Sequence, residues 1–393
     1  MVKERDTQYL LLTPGPLTTT RTVRDAMMQE FSTWDVDYNS IVESIRTSLV
    51  RLAVRDDINL SSFTSVLMPG SGTFAVESVI GSVIPPDGKI LVLNNGAYGA
   101  RISTISRMLG IETIELTQIE TELTNLNEVE KILVEDTTIS HVAMVHCETT
   151  TGMLNPAEAV GEIVRRLGRI YILDAMSSFG GLPISMESTG AHYLISSANK
   201  CVQGVPGFGF VIADRAELKV TKGLARSHSL DLYDQWREME AKGGKWRFTS
   251  PTHVVNAFAC ALKELDEEGG VQERYRRYLV NQKSLVEGMR SLGFKTLIND
   301  EFQSPIITSF HCPDFAGFDF QNFYNALKEC GFVIYPGKVS NADCFRIGTI
   351  GDVHKEDIIE SVSYTHLRAH ETREDRVIRR VGDKKNGGGG GGG

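Results

Sequence analysis

From about residue 63 to residue 213 the chain alternates short apolar runs with amphipathic stretches, and this alternation constrains the fold more than any other feature. The runs "KILVLNN" (89–95), "HVAMVHC" (141–147), "RIYILDA" (169–175), "YLISSA" (193–198) and "GFGFVIA" (207–213) have the length and residue types of strands. Between them, "GTFAVESVIGSVI" (72–84), "YGARISTISRML" (98–109), "LNEVEKILVED" (126–136) and "PAEAVGEIVRRL" (156–167) carry helical spacing. In the last of these, Ala159, Ile163 and Leu167 form the expected apolar stripe, with the arginines off it. The alternation predicts an α/β fold: a mostly parallel sheet covered by helices on both faces. Ligands in such sheets bind beyond the carboxyl ends of the strands.

A long helical stretch is expected over roughly 254–292. The mixed segments "PIITSFHC", "FDFQNFYNALKECG", "FVIYPG" and "FRIGTIG" then predict a smaller α+β C-terminal domain. The expected division is a large domain over 9–265 and a small one over 266–362. The segment 363–393 is poor in apolar residues and ends in seven glycines. It buries too little surface to order itself and reads as a disordered, artefactual tail.

Composition narrows the function. With 393 residues, 41% of them hydrophobic, the chain can build a sizeable core. The net charge is −9 with no basic block, which argues against nucleic acid as a partner. No apolar run reaches the roughly 18 residues of a membrane span, and "MVKERDTQYLLLTPGP" lacks a signal-peptide core. Six scattered cysteines without a CxxC pair fit reduced thiols, a cytoplasmic location and no metal site.

The chemistry-bearing residues fall where the apolar runs end. Lys200 stands in "SSANKCVQGVPGFGF", between an apolar run and a glycine-rich loop. Asp174 closes "YILDA"; a carboxylate at the end of a buried strand needs a partner, such as a loop cation or a cationic ring nitrogen. Ser71, Gly72 and Thr73 open a helix, where free N–H groups and the helix dipole favour a phosphate. Tyr98 follows a glycine turn in "NNGAYG" and offers a flat face to a ring. Arg346 interrupts the apolar "CFRIGTIG"; its fork matches a carboxylate. Each has a plain structural reading of its own. Together they describe pyridoxal phosphate held as a Schiff base.

These stretches, with "LLLTPGPLTT", "HCETTTGMLNP", "DAMSSFGG" and "FTSPTH", resemble the fold-type I, class V aminotransferases from about Tyr9 to Val362, in the family's order. The resemblance implies a pyridoxal 5'-phosphate enzyme with a large and a small domain. It implies that Lys200 carries the cofactor and moves the proton, and that Asp174 faces the ring nitrogen. It gives Ser71, Gly72 and Thr73 the phosphate and Tyr98 the ring face. It puts Thr149 near the ring hydroxyl and Arg346 on the substrate carboxylate. Thr249 would reach the phosphate of the neighbouring subunit, which implies a homodimer. "TPGP" (13–16) would line the substrate entrance. The expected reaction moves the amine of 2-aminoethylphosphonate to pyruvate, giving phosphonoacetaldehyde and L-alanine. Arg21 and Arg247 are candidates for the phosphonate, with surface roles as the alternative. Within the same family, an alanine–glyoxylate or serine–pyruvate transaminase and a lyase for a hydroxylated aminophosphonate fit the same residues. A non-catalytic binding protein or a nucleotide-dependent enzyme is the reading from a different class.

Overall fold

The computed structural model describes residues 7–313, 318–337, 339 and 342–365. Its largest sheet has seven strands: β1 (Phe63–Pro69), β2 (Lys89–Asn94), β3 (Glu112–Thr117), β4 (Ile139–Val145), β5 (Ile170–Asp174), β6 (Tyr193–Ser197) and β7 (Phe208–Asp214). They lie in the order β1-β7-β6-β5-β4-β2-β3. Strand β7 is antiparallel to both of its neighbours, and the other pairs are parallel. The register sets Leu91 beside Val142, and Val145 beside Asp174.

The central strands are buried almost end to end because helices cover both faces. All of β6 is buried, as is all of β4 except Ser140. Strand β3 stands at the sheet edge with a half-exposed sequence, "ETIELT", so its apolar signal is weak. The helices Gly72–Val83, Ala97–Met108, Leu126–Glu135 and Ala157–Arg166 fall within a residue of their expected bounds. In Ala157–Arg166 the buried face is Ala157, Val160, Gly161, Ile163 and Val164; Ala159 and Leu167 lie at its margin, not at its centre. Gly161 packs so close to Thr189 that a Cβ there would stand 1.7 Å from its carbonyl oxygen. Gly161 has no side chain, so this inward face leaves no mark in a stripe read from the larger side chains.

The long helical stretch is two helices, Thr252–Glu267 and Gly270–Ser291. They part at Gly269 and Gly270, with φ of +104° and +76°, values that L side chains rarely adopt.

A second core gathers Phe310, Phe323, Phe332, Phe345, Ile347 and Ile358 around a three-stranded sheet. Its strands are β8 (Ile307–His311), β9 (Tyr335–Pro336) and β10 (Cys344–Gly348), in the order β8-β10-β9. Leu10 and Leu12 belong to this core as well. Strand Leu10–Leu11 pairs in parallel with Phe332–Val333 in a separate two-stranded sheet, so the start of the described chain packs on the small core, although the expected division groups residues 9–265 together.

The terminal helix covers 355–365. It therefore runs three residues into the segment expected to be disordered. Tyr364 packs on Phe332 with ring centroids 5.9 Å apart, and Thr365 is buried and bonds back to Ser361. The rest of that tail, 366–393, lies outside the described residues.

Candidate active site

Six strands of the large sheet point their carboxyl ends the same way, and a candidate residue closes or follows five of them. Ser71–Thr73 follow β1, Tyr98 follows β2, Thr149 follows β4, Asp174 closes β5 and Lys200 follows β6. A parallel sheet brings such positions together without any further instruction from the sequence.

Asp174 is buried, and one carboxylate oxygen accepts from the Met176 N–H at 2.9 Å. Burial raises its pKa to about 6; the Glu148 charge pushes the same way, against the Met176 bond and the Lys200 and Arg101 cations. Lys200 lies within electrostatic reach of Asp174. Its Nζ donates to the Pro14 carbonyl at 2.8 Å. The residue is half-buried, and desolvation is the largest influence on the amine and lowers its pKa, against the pull of nearby anionic groups.

Backbone anchors fix the lysine loop. Buried Arg274 donates to the Cys201 and Val202 carbonyls at 2.8 and 3.2 Å and pairs with Glu268 at 2.7 Å. Gln203 takes a left-handed φ of +68° and donates to Tyr278 Oη and the Gly351 carbonyl. From the other side, Gly15 passes over the lysine. A Cβ at Gly15 would stand 2.8 Å from Lys200 Cδ, so the close approach requires glycine there.

Ser71 caps the helix Gly72–Val83 in extended conformation, with no hydrogen bond from its side chain to the helix. At Gly72 a Cβ would meet Met176 Sδ at 2.3 Å, so the helix start nests against the residue that bonds Asp174. Thr73 Oγ1 accepts from Arg101 at 3.2 Å, and the Arg101 guanidinium lies 4.9 Å from the centre of the Tyr98 ring.

Arg346 lies on β10, whose alternation sends Phe345 and Ile347 into the small core. Its guanidinium donates to the carbonyls of Pro336 at 3.0 Å and Thr149 at 2.8 Å. These bonds use two of the five donors a guanidinium carries, and no carboxylate pairs with it among the described residues. Burial is the largest influence on this cation and lowers its pKa. Thr149 itself is buried, with its Oγ1 unpartnered.

The structure thus joins Ser71–Thr73, Tyr98, Thr149, Asp174, Lys200 and Arg346 through shared neighbours. It does not bring in Thr249, which is exposed in the loop before helix Thr252–Glu267. Arg21 is exposed and paired with Asp25, while Arg247 donates to the His228 carbonyl and faces Asp234 at 3.6 Å. Two residues of the pocket escape sequence reading. One is Arg101, three residues after Tyr98 and so on the same helix face. The other is Glu148, a fully buried carboxylate. Its signal is an acid set directly after an apolar strand and before three threonines.

The fold and this pocket define a class. A profile described as aminotransferase class-V matches residues 10–341, and the chain belongs to the class V aminotransferase family. The particular relatives are narrower. The chain is 60% identical over 352 residues to a protein of Vibrio vulnificus named 2-aminoethylphosphonate–pyruvate transaminase, covering 89% of this chain and 95% of that one. A Bacillus cereus protein of the same name is 58% identical over 353 residues, covering 90% and 96%. Solved structures match the fold at lower identity. The ureidoglycine–glyoxylate aminotransferase of Bacillus subtilis gives a TM-score of 0.85 at 21% identity, covering 94% of this chain and 95% of that one. The pyridoxamine–pyruvate aminotransferase of Mesorhizobium loti gives 0.84 at 22%, covering 95% of each.

Proposed function

We propose that this chain moves the amine of 2-aminoethylphosphonate to pyruvate, giving phosphonoacetaldehyde and L-alanine, with pyridoxal 5'-phosphate as cofactor. The observation that carries the reading is that Lys200 and Asp174 lie within electrostatic reach of each other at the carboxyl edge of the sheet, in a chain 60% identical to a relative of that name.

The pocket fits the cofactor. A buried carboxylate with its pKa raised to about 6 has too little positive charge around it, and a protonated ring nitrogen supplies what is missing. The orphaned Thr149 hydroxyl needs a polar partner. The helix start at Ser71–Thr73 presents N–H groups to an anion. Thr73 Oγ1 already accepts from Arg101, which leaves its hydroxyl hydrogen to donate to a phosphate oxygen.

Bound there, pyridoxal phosphate supplies an electron sink for the carbon that loses its proton. Lys200 Nζ, its pKa lowered by burial, takes the proton from the amine-bearing carbon of the donor. In the second half it returns a proton to the carbon that becomes Cα of alanine. Asp174 would hold the ring nitrogen in its cationic form. Tyr98 would cover one ring face and keep water from it. Arg346 binds the pyruvate carboxylate with donors that the Thr149 and Pro336 carbonyls leave over, and those carbonyls fix its plane. The amine donor has no carboxylate beside its amine, so Arg346 chiefly serves pyruvate and alanine.

The proposed assembly is a cytoplasmic homodimer in which Thr249 of one chain reaches the phosphate held by the other. Its exposure and distance in sequence from the other site residues fit that placement. Among the described residues no helix is long and apolar enough to cross a membrane. The test is direct: incubate the protein with 2-aminoethylphosphonate and pyruvate and follow phosphorus NMR together with alanine. Equimolar phosphonoacetaldehyde and alanine support the reading. Efficient transfer from alanine or serine to glyoxylate, with 2-aminoethylphosphonate untouched, overturns it.

A further inference from the structure

Glu148 is the one buried carboxylate of the pocket to which the mechanism gives no role. It has no exposed surface, and every neighbour that bonds it is a donor. One oxygen accepts from the Tyr98 N–H at 3.1 Å, and the carboxylate also takes the Gly99 N–H. The other oxygen accepts from the Thr150 N–H at 3.1 Å and the Thr150 hydroxyl at 2.7 Å. The side chain therefore bolts the first turn of helix Ala97–Met108 to the turn that follows β4. The first carries the Tyr98 ring. The second carries the Thr149 hydroxyl and the Thr149 carbonyl that receives Arg346. Ser309 of the small sheet closes the link by donating to the Thr150 carbonyl at 3.2 Å. The reach is tight: a Cβ on Gly96 would stand 2.4 Å from Glu148 Cδ, so that turn admits only glycine while the carboxylate is in place.

We propose that Glu148 is a positioning residue that sets, through one carboxylate, the spacing between the Tyr98 ring, the Thr149 hydroxyl and the Arg346 guanidinium. The inference rests on the reading that pyridoxal phosphate lies against Tyr98 and Thr149. A carboxylate is needed because all its partners donate. In Glu148→Gln the shape persists, but the new NH2 group must face a backbone N–H on one side or the other. One side of the bolt opens, and the ring face and the substrate arginine move relative to each other.

The test titrates cofactor-free wild type and Glu148→Gln with pyridoxal phosphate, following the visible circular dichroism of the bound ring. It then measures kcat and KM for pyruvate in the loaded proteins. A tenfold weaker uptake, a visible band reduced by at least half and a pyruvate KM raised about tenfold are expected in the variant. The far-ultraviolet spectrum should stay that of the wild type. A residue that merely fills space would leave the visible band and the KM untouched. If Glu148→Gln fails to fold, Thr150→Val decides: it removes one donor and should weaken uptake and raise KM two- to fivefold. Wild-type values in the folded variant overturn the proposal while leaving the cofactor assignment in place. A wild-type protein that takes up no pyridoxal phosphate overturns both.

Discussion

The two sides of the pocket are built by different means. On the sheet side, the candidate residues follow the ends of five strands, and short loops deliver each one. On the Arg346 side, the site is assembled from segments far apart in the chain: the Thr149 carbonyl, the Pro336 carbonyl and β10. The first side inherits its geometry from the sheet. The second depends on how the small core seats against the large one. The segment 10–16 ties the two, pairing with Phe332–Val333 at one end and receiving Lys200 Nζ on the Pro14 carbonyl at the other. The difference teaches where substitutions act: on the sheet side they should remove chemistry, on the other side they should shift substrate preference.

The largest effect is expected at Lys200. Lys200→Ala removes the amine proposed to move the proton, and turnover should fall by about 10⁴-fold or more. Circular dichroism and thermal melting should remain those of a folded protein, since the Arg274 and Gln203 anchors hold the loop by other atoms. Turnover above a hundredth of wild type would place the chemistry elsewhere.

Asp174→Asn comes next. It keeps the shape and removes the charge proposed to face the ring nitrogen, and loss of about 3 kcal/mol corresponds to a rate about a hundredfold lower. The same substitution has an opposite effect on the cofactor-free protein. The folded pKa of Asp174 is raised to about 6, so its contribution to stability is fully present below the unfolded value near 3.8 and lost as pH rises through about 6. Neutral asparagine escapes that loss. Cofactor-free Asp174→Asn should match wild type at pH 4 and exceed it at pH 8, by a margin on the order of 2–3 kcal/mol. Melting curves of both proteins across this range decide it; a wild type as stable as the variant at pH 8 contradicts the assignment of Asp174 as an under-compensated buried charge.

Arg346→Ala separates the two sides. Charge-assisted bonds of the kind it offers contribute roughly 1.5–3 kcal/mol, so the pyruvate half-reaction should weaken ten- to a hundredfold. The half-reaction with 2-aminoethylphosphonate should suffer less. Single-turnover absorbance with each substrate measures the two separately, and equal losses would erase the distinction between the sides.

The sheet side was the more legible in sequence for a physical reason. Strands buried on both faces must be apolar throughout, so their ends are visible, and polar residues at those ends stand out. Lys200, Asp174 and Tyr98 announce themselves this way, whereas the Ser71–Thr73 turn shows as a helix start. Strands β1 and β3 and helix Val36–Ala53 are not legible, because Thr64 and Ser65 interrupt the first, edge exposure dilutes the second and a mixed surface the third. The break at Gly269–Gly270 was legible as a glycine pair but hidden by continuous helical spacing on either side. Arg346 was visible as an anomaly in a strand, but the two carbonyls that aim it are backbone atoms, which no residue type encodes. Glu148 was hidden for a related reason: its partners are mostly N–H groups brought near by the fold.

The smallest effect is expected at the end of the chain. Truncation after Thr365 should leave activity within twofold of wild type. Truncation after Val362 removes Tyr364 from Phe332 and should lower stability by about 1–3 kcal/mol, the scale of one buried large side chain. Denaturant midpoints of the two truncations measure the difference.

The central claim is that the carboxyl edge of the large sheet holds the cofactor on Lys200. Borohydride reduction of the protein loaded with pyridoxal phosphate, followed by peptide mass mapping, tests it most directly. The account predicts one phosphopyridoxyl group per chain, on the peptide containing Lys200, with loss of the visible band. A modification spread over surface lysines, or none at Lys200, would contradict it.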